Sequence, residues 1–286
     1  MQERNSPEDR TAERSRGALL AALGLRPLSA RSVVASVLLG THPPRLSAAA
    51  LVELCGRFGI TGGTTRVALS RMVAAGELAA DDGHYRLVGQ ALLSRQRAQD
   101  AGLDPPVDPW AGGWRMAVVV SAGRAAAERV ELRRAFADAR FAEWREGVWL
   151  RPDNLARPGH PGALLAEAPV RWLTAQPEGD PLSLAGELWD LRGWVARGTA
   201  LLTAAPEEPG DLVAAPPEWA ASVFAAAAAA VSFLRTDPLL PEPLVPPDWP
   251  AGPLRARYAV YIDAIQALVR HLSGGARAER GIAPPD

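Results

Sequence analysis

Arg66 and Ser70 stand four residues apart, so they share one face if their segment is helical, and Arg71 borders that face. Thr61 and Thr64 lie just ahead, and no acid falls between Thr61 and Arg71. Guanidiniums suit guanine edges and phosphate oxygens, and hydroxyls suit phosphate. Gly63 and Val67 are small enough for close approach. Such a face has the chemistry needed to meet a nucleic-acid duplex in its major groove. The plain alternative is a solvated amphipathic helix, so the elements around the face must separate the two.

Those elements are legible. Ser47 caps a helix over AAALVELCGRF, which Gly59 stops. Thr61 caps a second helix, GGTTRVALSRMVAA, ending at Gly76, with Thr65, Leu69, Met72 and Val73 expected to pack inward. ELAADDGHYRLV then reads as a strand, a tight Asp82-Gly83 turn and a return strand. Two short helices joined by a turn and followed by a hairpin predict a winged helix-turn-helix that binds double-stranded DNA through Thr61, Thr64, Arg66, Val67, Ser70 and Arg71. The acidic wing tip, Asp81-Asp82, argues against contact between that tip and phosphate.

Charge supports this. The chain of 286 residues has a net charge of −1, yet Arg14 to Ala75 holds eight arginines against the single acid Glu53, a local +7. Gln176 to Pro250 holds eleven acids against three arginines, a local −8. A basic front and an acidic back suit a DNA reader joined to a regulatory body. A winged helix that binds only protein has no need of such a field. All 31 basic residues are arginine, a mark of a GC-rich genome.

The single cysteine, Cys55, excludes a disulfide framework and a cysteine zinc site. ALLAALGL is too short for a secretory leader, and WAASVFAAAAAAVSFL is short and Ala-rich for a membrane span, so it reads as a buried helix. A soluble, cytoplasmic protein is expected, with no membrane partner.

The expected fold class is α+β, mainly helical. Residues 1–27 form a partly disordered tail, 28–98 the winged-helix domain and 99–112 a linker around DPPVDP. Ser29 caps the first helix of the winged domain, which Gly40 ends, and GQALLSRQRAQDAGL adds a helix after the wing. Residues 113–178 read as strand, helix, two strands joined at Gly147, and another strand, which predicts a ferredoxin-like middle domain. Residues 179–273 form a helical regulatory or dimerisation domain, with helices over LAGELWDLRGWVARGTALL, EWAASVFAAAAAAVSFLR and RARYAVYIDAIQALVRHL. Residues 274–286 are a flexible tail. A homodimer is expected, because paired half-sites compensate for the weak binding of one winged helix. Trp219, Phe224 and Phe233 are possible anchors.

FGITGGTTRVALSRMVAAGEL, WAGGWRMAVVV, GVWLRP, ELWDL and above all FLRTDPLLPEPLVPPDW resemble the PaaX-type repressors of bacterial phenylacetate-catabolism operons over about residues 28 to 270. The resemblance implies a winged helix, a middle domain shaped like the small CRISPR-adaptation nuclease, and a helical C-terminal domain. It implies a dimer that releases its operator when an acyl-coenzyme A binds. Gly62 and Gly63 depart from the larger polar residues of such proteins, which implies a more flexible first turn and a divergent member.

GxSxG, Walker, HExxH and GxGxxG motifs are absent, so no catalytic residue, metal ligand or cofactor is expected. A nucleic-acid-processing enzyme is the competing function, but Ser121 stands where a nuclease-like middle domain would want a metal-binding acid at the end of its first strand. The loop Ser121 to Arg124 is either an ordinary turn or a phosphate cradle. Arg124, Arg133 and Arg134 are candidate contacts for an anionic effector. The alternative is a solvated face paired with the acidic half. The nine tryptophans are expected to fill core and interfaces, or else to line an aromatic pocket.

Overall fold

The computed structural model describes residues 28–90, 92–94, 96, 103, 107–120, 126–155 and 169–278. The tail 1–27, most of the helix expected after the wing, residues 104–106 of the linker, the loop 121–124 and residues 279–286 lie outside the described residues. The fold mixes helices with two small antiparallel sheets. Two compact units divide it: residues 1–103, 197–235 and 250–286, and residues 104–196 and 236–249. The helical C-terminal stretch is shared between them.

In the first unit, α1 (Ala30–Leu39) starts at Ser29, whose hydroxyl and that of Ser32 cap the helix reciprocally. After β1 (Arg45–Ser47), Ser47 accepts from the Ala50 amide and opens α2 (Ala48–Arg57). A turn through Gly59, at φ +74°, leads to α3 (Gly62–Ala74), capped by Thr61. β2 (Leu78–Asp81) and β3 (His84–Leu87) are joined by Asp82 and Gly83, both at positive φ, the two-residue turn that matches strand twist. Because β1 also pairs with β3, the sheet order is β1-β3-β2.

Val33, Val37, Leu38, Leu51, Leu54, Leu69, Met72, Leu78 and Leu87 are buried. The same unit holds α7 (Pro217–Leu234) and α8 (Ala251–Ala278), which pack on each other and on α2. α7 has 18 residues and is apolar enough to cross a membrane by length and composition, yet half of it is buried. α8 runs through Gly274 and Gly275, where a flexible tail was expected.

The second unit is built on β4 (Trp114–Val119), β5 (Ala142–Arg145), β6 (Val148–Pro152) and β7 (Val170–Ala175), in the antiparallel order β5-β6-β4-β7. One face meets α4 (Ala126–Asp138): Ala117, Trp149 and Phe141 pack on Leu132 and Phe136. The other face buries Trp114 and Leu150 against Ala185, Leu191 and Leu244. Trp114 stacks on Trp189 and Trp194 on Trp249; Trp114 and Trp194 are buried, and Trp189 and Trp249 pack half-buried beside the core.

The run LAGELWDLRGWVARGTALL is not one helix. α5 (Pro181–Leu188) stops at Trp189, whose φ of −130° and ψ of 143° are extended, and α6 (Leu191–Ala204) restarts behind Asp190. The Asp190 carboxylate accepts the Gly193 amide at 2.9 Å, a local bond that competes with helix continuation.

Candidate nucleic-acid interface

α3 is positioned from its inner side. Thr65, Leu69 and Met72 are buried, and the Thr65 hydroxyl donates to the Thr61 carbonyl at 3.1 Å. A Cβ at Gly62 would stand 3.2 Å from Val52 of α2 and 3.3 Å from a terminal nitrogen of Arg66. Gly62 therefore has a packing reason: it admits α2 and leaves room for the Arg66 guanidinium over the first turn. A Cβ at Gly63 would meet only the Thr61 hydroxyl oxygen, at 4.0 Å, an ordinary contact.

The outer face carries all six expected residues. Thr61, Thr64, Arg66, Val67, Ser70 and Arg71 are exposed, Val67 to 52%. Thr61 and Thr64 share a hydroxyl hydrogen bond of 2.9 Å, and the Thr61 hydroxyl also accepts the Thr64 amide at 3.2 Å. One Thr61 oxygen thus both caps the helix and lies beside amides whose partial positive charge favours an anion. Val73, expected inside, is 36% exposed, since it sits one step past Met72 on the helix and turns outward.

The charge reading changes in detail. The terminal nitrogen Nη2 of Arg57 donates to the carbonyls of Leu212, Val213 and Ala215 at 2.7, 2.8 and 2.9 Å, which removes Arg57 from any outer surface. Arg31 is bound by both oxygens of Glu77, and this pairing raises its pKa. Arg14, Arg16 and Arg26 lie outside the described residues.

Sequence reasoning missed two cations. Arg45 on β1 lies directly across from Arg86 on β3, and both are exposed on the β1-β3-β2 sheet. Asp81 approaches Arg45 at 3.9 Å. Arg86 had a signal, an outward position in an alternating strand. Arg45 had none, because a three-residue strand shows no period.

Other candidates fare differently. Arg133 is exposed but donates to Glu143 at 3.1 Å, Arg134 is exposed, and Arg124 lies outside the described residues. Phe224, a possible dimer anchor, is buried with its ring 4.8 Å from that of Phe58. The Trp219 ring N–H donates to the Pro209 carbonyl at 2.7 Å. Among the described residues, no group of three or more His, Cys, Asp or Glu side chains stands together as a metal site.

Residues 29–91, the segment just described, match the PaaX-like protein family. A solved structure, the uncharacterized protein Rv0674 from Mycobacterium tuberculosis, is 44% identical. The match covers 85% of this chain and 98% of that one, with a TM-score of 0.69. The chain belongs to the PaaX-like family. No curated protein matches it. The family match falls on the helix pair and hairpin, so what marks this PaaX-like chain as a member is the segment that carries Arg66, Ser70 and Arg71.

Proposed function

We propose that the chain is a transcription regulator that binds double-stranded operator DNA through a winged helix-turn-helix, residues 28–98, with α3 in the major groove. The observation that carries this reading is the outer face of α3, where Arg66, Ser70, Arg71 and the two threonines are exposed together and no acid intervenes. Arg66 and Arg71 reach base edges or phosphates, Ser70 and the threonines serve phosphates, and Val67 offers an apolar contact of the kind a thymine methyl takes. Arg45 and Arg86 on the sheet add phosphate contacts. Family membership supports regulation of transcription, and the finer reading is a repressor of a catabolic operon, released by an acyl-coenzyme A or a related small anion. The strand order β5-β6-β4-β7 with α4 on one face supports a ferredoxin-like middle domain. The protein acts as a cytoplasmic homodimer and carries out no reaction of its own.

The test is binding to the protein's own promoter, followed by gel shift or anisotropy. Arg66→Ala is expected to weaken binding by about 1–3 kcal/mol if it reads a base edge. A substitution that removes one phosphate contact reduces the salt slope by about one. Unchanged affinity in both Arg66→Ala and Arg71→Ala refutes this face.

A further inference from the structure

In the second unit, Arg115 of β4 stands directly opposite Arg151 of β6, and Thr174 of β7 stands opposite Arg115 on its other side. Side chains alternate across a sheet, so these three share the face of Ala117, Trp149 and Trp172, the face that meets α4. Like charges directly opposite on neighbouring strands repel. Arg151 is nevertheless only 7% exposed. Its Nε has no hydrogen-bond partner, and its guanidinium lies 5.1 Å from the centre of the Phe141 ring. Burial pushes its pKa down, Asp153 raises it and Arg115 lowers it further. Asp153 is the acid whose charge reaches it, yet the two form no ion pair. A guanidinium stays protonated in proteins, so this buried cation stays charged with no acid in ion-pair contact. Buried charges are otherwise paired.

We propose that Arg115 and Arg151, with the Thr174 hydroxyl beside them, hold an oxyanion: the carboxylate or phosphate group of a small metabolite. The planar forks of two guanidiniums suit either group. Half-buried Arg115 gives the approach from solvent, and Arg151 forms the inner wall. The site gives the effector of the reading above a chemical class and an address, and it rests on that reading only for its regulatory meaning.

The experiment uses the full chain without DNA. Thermal unfolding is followed against inorganic phosphate and against acetate, with ionic strength held constant by sodium chloride. A saturable rise in Tm is expected with one or both anions, beyond the effect of chloride. The stronger response assigns phosphate or carboxylate. Arg115→Gln is expected to raise the Tm of the anion-free protein, because it relieves the cross-strand repulsion, and to weaken the anion response about tenfold or more. Arg115→Lys keeps the charge without the fork and gives a graded loss, which covers a failure of Arg115→Gln to fold. No saturable rise with either anion, or an undiminished rise in both variants, overturns the site. Operator binding is measured separately, so either reading can fail while the other stands.

Discussion

Arg57 shows how far a residue's chemistry depends on what it meets. It closes α2, sends one nitrogen to three carbonyls, and leaves its Nε buried without a partner. Arg57→Met removes a charged donor and strands those carbonyls, a loss on the order of 2–3 kcal/mol. Urea denaturation checks it, and operator affinity is expected to hold wherever the variant is folded. The sequence shows eight arginines in the front of the chain and does not distinguish their tasks. The acceptors of Arg57 lie 155 to 158 residues away, and Glu77, the partner of Arg31, lies 46 away. Arg66 and Arg71 were readable because a helix face is a local property, fixed by spacing alone. Arg151 was the opposite case: a strand arginine looks like an outward one until both faces of its sheet are known to be covered.

At the scale of elements, caps and turns carried most of the legibility. Ser29, Ser47 and Thr61 cap their helices as their sequences direct, and Asp82-Gly83 makes its hairpin, because these devices act within three or four residues. β1 was lost because its pairing depends on β3, about forty residues on. The glycines around α3 make opposite predictions. Gly63→Ala, in a helix where the added methyl makes only an ordinary contact with the Thr61 hydroxyl, is expected to stabilise the protein by about 0.5–1 kcal/mol. Gly59→Ala, at positive φ, is expected to cost about 1–2 kcal/mol. Chemical denaturation of both variants reads the difference in sign. At α5, hydrogen bonds from the Ser183 hydroxyl and amide and the Leu182 amide hold the Asp180 carboxyl below its ordinary pKa. A depressed folded-state pKa gives stability that is full above the unfolded value, near pH 4, and lost as pH falls through the folded one. The acid limb of the stability profile is therefore expected to be shallower in Asp180→Asn, and an unchanged limb refutes this role for the cap.

At the scale of the whole molecule, the first unit draws on three separate stretches of chain. α2 packs against α7 and α8, Phe58 meets Phe224, and Gln266 donates to the Gly40 carbonyl at 3.3 Å. Periodicity gave each helix its apolar face but not the partner of that face, so the discontinuity was invisible in sequence. A fragment of residues 28–98 is expected to lose cooperative thermal unfolding and bind the fluorescent dye ANS, because α2 no longer has α7 and α8 to cover it. A sharp transition in that fragment, followed by circular dichroism, contradicts this. Chain order adds a consequence. α2 and α3, which present Arg66, stand in the first third of the sequence, and α7 and α8, which cover α2, stand in the last third. A chain cut before residue 217 therefore carries Arg66, Ser70 and Arg71 without the helices that cover α2.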